Sequence, residues 1–393
     1  MSLRDRIASV LPQITEIRHD FHRHPELGYQ EVRTSGRVVE LLSGWGVEHV
    51  AGLARGTGVL GYLPATNDPA NAPTVALRAD MDALPIKEDT GAAYASEHEG
   101  VMHACGHDGH TSILLGAAKV LSETERPNNV LLVFQPAEEG GAGAKALCED
   151  GVLDGRVLGK PVDHMFGLHG FPMGQLGHVY TRNGAFMAAA SEFRMTITGK
   201  GTHAAYPHFG IDPIVVAAHI ITALQTIASR AVNPLDSVVV TVGKVEAGMA
   251  HNVIPETAVL KGTLRALNDA TNQLGKDQIG LISHSVAAAF GATAVVEWIG
   301  AYPVTFNDPD ATDHFRGVAR DTLGEEFLHE EAHPTMGAED FSFYGQRVSA
   351  SFFFLGLRGA HMESFPNLHA PQFDFNDGAL PVGIEMMCAL ARS

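Results

Sequence analysis

The sequence predicts an α/β protein in which a catalytic domain with a mostly parallel sheet carries an inserted α+β satellite domain. Two observations support this prediction. Apolar runs typical of buried strands alternate with helical periodicity in residues 1–184 and again in 300–393. Between them, residues 185–299 follow the order β-α-β-β-α-β, which with antiparallel pairing is typical of a ferredoxin-like fold. A length of 393 residues also favours two domains over one.

The first predicted domain begins with helices and continues with strands. Apolar side chains recur every three or four positions in residues 1–24, which predicts a helix that ends before Pro25. Further helices are expected at 33–45 and 111–121. The predicted strands of this part are 57–63, 74–79, 129–134 and 165–168.

The satellite domain is predicted to contain four strands and two long helices. The strands are 192–198, 237–245, 256–264 and 293–298, and the helices are 212–229 and 271–290. Beyond residue 301 the chain is expected to return to the first domain. This last part should contain helices at 309–323 and 377–391 and a strand at 348–355.

Charge and composition exclude several classes of partner. A formal net charge of −18 argues against nucleic acid or an anionic membrane surface. No opening segment has the order of a signal peptide, and no apolar run reaches the length of a membrane span, so the expected location is the cytoplasm. Cys105, Cys148 and Cys388 are too widely spaced for a disulfide framework, and the last two are expected to be core residues.

The stretch from residue 102 to 110 reads Met-His-Ala-Cys-Gly-His-Asp-Gly-His and predicts a metal site. Cys105 and His107 are two positions apart, so in extended or turning backbone both side chains can reach one cation. Gly106 and Gly109 let the backbone approach an ion closely. The alternatives are a solvated polar loop and, for Cys105, a nucleophile or a buried thiol.

Polar residues also follow three predicted strands. Asp82 comes after an apolar strand, where open α/β sheets bind their ligands. Two charged carboxylates, Glu138 and Glu139, at the end of a buried strand cost free energy unless a cation is near. One of them can then neutralise a metal ion, while the other remains a base. His169 follows the strand 165–168. Capping residues and solvated loop acids are the alternative interpretation of the carboxylates.

Six motifs, taken in order along the chain, resemble the dinuclear-metal amidohydrolase and peptidase superfamily, in particular its hippurate hydrolase, N-acyl-amino-acid and auxin-conjugate amidohydrolase branch. The resemblance covers nearly the whole chain, and the central motif is specific. The motifs are Arg-Ala-Asp-Met-Asp-Ala-Leu-Pro (78–85), Met-His-Ala-Cys-Gly-His-Asp-Gly-His (102–110), Gln-Pro-Ala-Glu-Glu-Gly (135–140), His-Asn-Val-Ile-Pro-Glu (251–256), Met-Gly-Ala-Glu-Asp-Phe (336–341) and Leu-His (368–369).

The resemblance implies a set of roles for the first domain. Glu138 would be the catalytic base, and Asp82 would support the site from behind. In more distant relatives the residue that corresponds to Asp80 looks to be a histidine that binds metal. This chain has an aspartate there, which departs from the pattern, so Asp80 is not assigned as a ligand. The ligands of two divalent cations would be Cys105, His107, Glu139, His169 and His369.

For the satellite domain, the resemblance implies a dimer interface and part of the substrate site. His203 would bind the oxygen on which negative charge develops, in its own or a partner subunit. Asn252 and Arg265 would contact the substrate carboxylate, a task for which the planar donor fork of arginine is suited.

The expected activity is hydrolysis of the amide bond of an N-acyl amino acid by water that two cations make acidic, with Glu138 as base. Manganese, zinc, cobalt and nickel all suit such a donor set, and the acyl group is left open. The alternatives are a dipeptidase or carboxypeptidase on the same scaffold, a binding protein without catalysis, and a cysteine hydrolase built on Cys105.

Overall fold

A computed structural model of the protein describes all residues from 1 to 393. The chain forms two compact units. The first unit contains Met1–Phe186, Phe306–His333 and Asp340–Ser393, and the second contains Met187–Thr305 and Pro334–Glu339. Residues 300–305 and 334–339, which the sequence analysis assigned to the catalytic domain, therefore make their contacts within the second unit.

The regular elements are numbered in chain order. The helices are α1 (Leu3–Arg23), α2 (Val32–Gly44), α3 (His107–Ser122), α4 (Gly143–Asp150), α5 (Pro213–Leu224), α6 (Asp269–Ala289), α7 (Pro309–Leu323), α8 (Ser342–Gly345) and α9 (Leu380–Arg392). The strands are β1 (Glu48–Leu53), β2 (Gly58–Leu63), β3 (Thr74–Asp80), β4 (Asn129–Gln135), β5 (His164–Gln175), β6 (Val179–Thr181), β7 (Gly184–Met187), β8 (Ala189–Thr198), β9 (Thr202–His203), β10 (Val238–Ala247), β11 (Val253–Ile254), β12 (Thr257–Ala266), β13 (Thr293–Tyr302), β14 (Thr305–Asn307), β15 (Leu328–Glu330) and β16 (Ser349–Arg358).

The first unit is built on an eight-stranded sheet with the order β1-β2-β4-β3-β5-β16-β6-β15. The central strands β4, β3, β5 and β16 run parallel to one another, whereas β1, β2 and β6 pair antiparallel with a neighbour. Asp80 at the end of β3 lies opposite Gln135 at the end of β4. The loops that carry Asp82 and Glu138 therefore leave the sheet side by side at its carboxyl edge, as expected for a ligand site of an open sheet.

The helices α1, α3 and α9 pack closely together in the core of the first unit. A Cβ atom at Gly116 of α3 would lie 2.5 Å from Cδ1 of Ile384 and 3.4 Å from Cγ1 of Ile14. Only a residue without a side chain lets the three helices approach this far, because a well-packed core leaves no space for an added methyl group.

The bounds of two elements differ from the sequence prediction in a way that matters for the site. Helix α3 begins at His107 rather than at residue 111, because Gly106 in the left-handed region (φ +86°) ends the preceding loop. His107 and His110 therefore belong to the first turn of the helix. Strand β5 extends to Gln175, so His169 lies within the strand and not after it.

The second unit contains a four-stranded antiparallel sheet with the order β10-β12-β8-β13. With α5 after β8 and α6 after β12, this is the β-α-β-β-α-β arrangement predicted for a ferredoxin-like unit. The core contains Phe193, Ile220 and Leu260 among its fully buried side chains.

One stretch of the second unit corrects the expectation that no apolar run could reach the length of a membrane span. The 19 residues Pro213–Ala231 are, by length and composition alone, long and apolar enough, and 28% of this stretch is buried. Its inward side chains Val216, Ile220 and Leu224 belong to the core of the unit, and a core helix passes the same test of composition.

Candidate metal centre

Side chains that can bind a metal ion come together at the carboxyl edge of the first unit's sheet. The ligand atoms of Cys105, His107 and His169 lie within 4.8 Å of one another, and so do those of Cys105, Glu139 and His369. Cys105 belongs to both groups, so all five predicted ligands form one cluster. The cysteine and the first two histidines are buried, Glu139 is half-buried, and His369 is exposed.

The backbone fixes which ring nitrogen of each buried histidine faces the cluster. The Nδ1–H of His107 donates to the carbonyl of Asp82 (2.9 Å), and the Nδ1–H of His169 donates to the carbonyl of Gly170 (2.8 Å). Since a carbonyl can only accept, both Nδ1 atoms carry a proton, which leaves Nε2 as the ring atom that each histidine can offer to a metal ion. The Nε2 atom of His107 is buried without a hydrogen-bond partner, and that of His169 lies 3.3 Å from the Cys105 sulfur.

Asp82 aligns three of the residues around the cluster. Its Oδ1 accepts the backbone N–H of Glu138 (3.0 Å), and its Oδ2 accepts the N–H of Glu139 (2.9 Å). Oδ1 also lies 3.3 Å from Nδ1 of His107. The side chain is 1% exposed. A buried carboxylate with these three partners keeps both glutamates and the histidine in a fixed relation to one another.

Glu138 lies beside the cluster and is held by a backbone group. One of its carboxylate oxygens lies within 4.8 Å of ligand atoms of His107 and Glu139. Its Oε1 accepts the backbone N–H of Asp340 at 3.3 Å, and the residue is 6% exposed. The neighbouring Glu139 points instead toward His369, whose Nε2 is 3.0 Å from its Oε1. The two adjacent glutamates therefore face different partners.

The charges of the cluster favour an added cation. Burial, together with Glu139 and Glu138, raises the pKa of the Cys105 thiol well above its usual value. Burial lowers the pKa of His107, but Asp80 and Asp82 outweigh burial and raise it to about 10. A thiol surrounded by carboxylates becomes a thiolate only where a positive ion compensates it. Thiolate, imidazole and carboxylate are together a donor set that suits two divalent transition metals.

Asp80 is engaged by other side chains. Its Oδ2 accepts from Nη1 of Arg78 (2.7 Å), and its Oδ1 accepts from Nδ1 of His110 (2.7 Å). The same Oδ2 lies 3.6 Å from Nε2 of His107. Burial raises the pKa of this carboxyl, but His107, Arg78 and His110 outweigh burial and hold the pKa well below its usual range. Because an arginine already neutralises Asp80, the carboxylate is a poor candidate for a metal ligand.

His110 was not singled out by the sequence analysis, although it lies in the central motif. Its Nε2 accepts the backbone N–H of Gly170 (2.8 Å), which leaves Nδ1 to donate to Asp80. Both ring nitrogens are thus used, and the ring connects β3 with β5 at the residue next to His169. The spacing of three between His107 and His110 on one helix was the available signal.

A second buried polar group beside the centre was also missed. Arg18 of α1 is fully buried and forms ion pairs with Asp108 (3.3 Å) and Asp374 (2.6 Å). His22, one turn further along α1, contacts Asp108 (2.8 Å) and Glu88 (3.2 Å). Asp108 directly follows His107, so this group ties α1 to the segment that carries a predicted ligand.

The three predicted substrate residues all lie in the second unit. His203 of β9 is exposed and pairs with Val253 of β11, and the carbonyl of Asn252 accepts the N–H of Ala204 (3.0 Å). The fold of this unit thus brings His203 and Asn252 together. Arg265 is half-buried on β12, opposite Ala190 of β8.

An α/β sheet that gathers two overlapping groups of donor residues at its carboxyl edge has the arrangement expected of a protein that binds divalent metal ions there. The chain belongs to the peptidase family M20/M25/M40, whose model matches residues 76–393. The family expected from the motifs is thereby confirmed.

Three curated proteins are similar to the chain over almost its whole length. The protein is 42% identical to the IAA-amino acid hydrolase ILR1-like 5 of Arabidopsis thaliana, over 95% of this chain and 85% of that protein. It is 40% identical to the N-acetyl-L-cysteine deacetylase of Bacillus subtilis (95% and 86%) and 38% identical to the hippurate hydrolase of Campylobacter jejuni (97% and 96%).

Among solved structures, the YXEP protein of Bacillus subtilis, described as a dinuclear metal binding peptidase from the M20 family, superposes with a TM-score of 0.80. The two chains are 32% identical, and the match covers 98% of each. A similarity of this extent includes the catalytic sheet and the inserted domain, so the predicted fold class is confirmed.

Proposed function

We propose that this protein is an amidohydrolase that cleaves the amide bond of N-acyl amino acids with two divalent metal ions, with Glu138 as the proton carrier. The observation that carries the proposal is the arrangement of the two adjacent glutamates around Asp82. Glu139 points to His369 within the donor cluster, and Glu138 lies beside the cluster with its carboxylate held by a backbone N–H. A base next to a metal site is what hydrolysis of an amide by water requires.

The proposed ligands are the five clustered residues, and the donor set fits the ions for two reasons visible in the protein. The Nε2 atom of His107 is buried without a hydrogen-bond partner, which is costly unless a ligand completes it. The Cys105 thiolate needs compensating positive charge. When bound, the ions polarise a carbonyl oxygen and lower the pKa of a water molecule toward neutrality. Manganese, zinc, cobalt and nickel are the candidates.

The proton transfers fall to Glu138. Its carboxylate accepts a proton from the water that attacks the amide carbonyl, and later gives this proton to the leaving nitrogen. The C–N bond breaks, and the products are a carboxylic acid and an amino acid with a free amino group. Asp82 contributes by holding the backbone of Glu138 and the ring of His107, so that base and ligand keep their relative positions.

Substrate binding is assigned to the second unit. His203 donates to the carbonyl oxygen as it becomes negative, an effect for which one donor is worth roughly 3 kcal/mol. Asn252 and Arg265 bind the carboxylate of the amino acid, which arginine can grip with two parallel hydrogen bonds. The relatives named for IAA-amino acids, N-acetyl-L-cysteine and hippurate all take an acyl group on an amino acid, which supports this substrate class.

The proposal is tested by the substitution Glu138→Gln. The amide cannot carry a proton between water and nitrogen, so kcat on N-benzoyl or N-acetyl amino acids should fall by about 10³-fold or more, while two metal ions remain bound. Metal content is measured by elemental analysis of the purified variant. Glu149→Gln, at an exposed position of α4, is the matched control and should behave as the unchanged protein. Retained activity in Glu138→Gln would refute the proposal.

A peptidase on the same scaffold is the second candidate, and the description of the YXEP protein as a peptidase favours it. A panel of N-benzoyl, N-acetyl and N-lauroyl amino acids set against dipeptides with a free amino group separates the two. A kcat/KM that is higher for dipeptides would support the peptidase. A protein that binds metal and acts on no member of the panel would be a binding protein.

We further propose a cytoplasmic homodimer formed through the second unit. The outer strand β10 leaves one edge of its sheet unpaired, with Val239 and Val245 exposed, and such an edge is a template for pairing with another chain. A reducing compartment suits the protein because Cys105, Cys148 and Cys388 are all free thiols. Light scattering of the purified protein distinguishes a dimer from a monomer.

A further inference from the structure

A network of fully buried polar side chains leads to Glu138. Asp340 is its centre. Its Oδ1 accepts from Nη2 of Arg78 (3.1 Å) and from Nε2 of Gln135 (2.7 Å), and its Oδ2 accepts the backbone N–H of Ala144 (2.9 Å). Arg78, Gln135 and Asp340 are each 0% exposed.

The network is closed by bonds among its own members. Nε of Arg78 donates to Oε1 of Gln135 (2.8 Å), and the hydroxyl of Tyr344 donates to the same oxygen (3.1 Å). Arg78 therefore grips Gln135 and Asp340 at once, and Gln135 donates to Asp340 in turn. A closed set of buried hydrogen bonds allows little movement, because any displacement leaves a buried donor or acceptor unpaired.

The network reaches Glu138 through the main chain of Asp340. The side chain of Asp340 holds the residue against β3, β4 and the start of α4, while its own N–H points at Oε1 of Glu138. Resting on the proposed function, we propose that Asp340 is a positioning residue for Glu138: Arg78 and Gln135 hold the Asp340 backbone so that its N–H fixes the carboxylate of the base beside the donor cluster.

The substitution Asp340→Asn separates positioning from metal binding. Asparagine has one acceptor oxygen in place of two, so it cannot accept from Arg78, Gln135 and Ala144 together, and residue 340 must shift. A misplacement of about 1 Å costs about 10²-fold, so kcat should fall by that factor while KM changes less than about threefold. Both metal ions should stay bound, as measured by elemental analysis.

Milder substitutions in the same network give a graded series. Gln135→Met removes one donor to Asp340 without changing the charge and should lower kcat by about tenfold; it also serves if Asp340→Asn fails to fold. Tyr344→Phe removes one hydroxyl that is three hydrogen bonds away from Glu138 and should lower kcat by less than about threefold. Asp163→Asn is the control, because Asp163 also accepts a backbone N–H, from Thr74 at the opposite end of β3, and its kcat should not change.

A crystal structure of the metal-loaded Asp340→Asn protein gives a readout that does not depend on turnover. The Glu138 carboxylate should be displaced or occupy two positions, with the five ligands in place. Unchanged kcat in both Asp340→Asn and Gln135→Met, or loss of metal that accounts for the loss of kcat, would overturn the inference. If the unchanged protein hydrolyses no N-acyl amino acid, the proposed function fails, and the position of Glu138 in the crystal still decides the inference.

Discussion

At the scale of single residues, Asp82 determines the local geometry of the centre. Three groups depend on it: the backbone N–H groups of Glu138 and Glu139 and the ring of His107. In Asp82→Ala both N–H groups lose their acceptor and the ring loses one of its two contacts. Groups that orient metal ligands are worth 10- to 100-fold in metal affinity, so the dissociation constant should rise by about that factor.

The measurement for Asp82→Ala is a metal titration by calorimetry, followed by activity at increasing metal concentration. Activity should recover in part at high metal, because the five ligands are unchanged. Asp163→Ala removes an acceptor of similar kind far from the cluster and is the matched control. A metal affinity equal to that of the unchanged protein would show that Asp82 does not orient the ligands.

Which residues of the centre could be predicted from the sequence depends on how local their chemistry is. Cys105 and His107 were recognisable because a thiol and imidazoles stand within nine residues. The pairing of Arg78 with Asp340 was not, although both stand in the motifs of the sequence, since they are 262 positions apart and their partnership exists only after folding. The same limit applies to Arg18, a charged residue within a helix whose apolar spacing predicted an ordinary buried face.

At the scale of elements, α1 carries a buried charge that makes stability depend on pH. Both ring nitrogens of His22 face carboxylates, Nδ1 toward Asp108 and Nε2 toward Glu88. Burial lowers the pKa of His22, but Asp108 and Glu88 outweigh burial and raise it to about 9 from 6.5. A raised pKa means that the folded state holds the proton more tightly than the unfolded state. The stabilisation is complete below pH 6.5 and is lost as pH rises through about 9.

The variant His22→Gln tests this dependence. Up to about 3 kcal/mol of folding free energy should disappear from the unchanged protein between pH 6.5 and 9, and His22→Gln should lack this part of the decline. Glu88→Gln removes one of the two carboxylates, so its loss of folding free energy over this pH range should be intermediate between those of His22→Gln and the unchanged protein. The measurement is urea unfolding at several pH values with metal concentration held constant. If the free energy of unfolding depended on pH equally in His22→Gln and in the unchanged protein, the prediction would be wrong.

Elements with strong periodicity were predicted well, whereas the elements near the centre were not. Helix α7 has the predicted bounds 309–323, because Asp308 caps it and Pro309 opens it. Helix α3 begins four residues earlier than predicted, since only Gly106 marks its start. Strand β1 and helix α4 were missed: β1 has no fully buried residue, and α4 has only eight residues. Short or exposed elements depend on tertiary contacts that no local pattern contains.

At the scale of the whole molecule, the five proposed metal ligands connect distant parts of the first unit. Cys105 lies just before α3 and His107 begins that helix. Glu139 lies in the loop after β4, His169 in strand β5 and His369 in the loop after β16. The α/β class was predictable because the central strands are mostly apolar and buried. Strand order was not, since neighbours such as β5 and β16 are paired by contacts between remote segments.

Removal of metal should therefore loosen the first unit as a whole. Without cations the carboxylates and the Cys105 sulfur lose their compensating charge, and four chain segments lose a common anchor. Each site occupied at about 100 times its dissociation constant stabilises the folded state by about 2.7 kcal/mol, so a chelator should lower the melting temperature and added metal should restore it. Hydrogen exchange should quicken in α3, β4 and β5 and stay unchanged in α6 of the second unit.

Cys105→Ser should lose most of the response of the melting temperature to metal, whereas Cys148→Ser, at another buried thiol, should keep it. An equal response in the two variants would mean that the stabilising ions bind elsewhere.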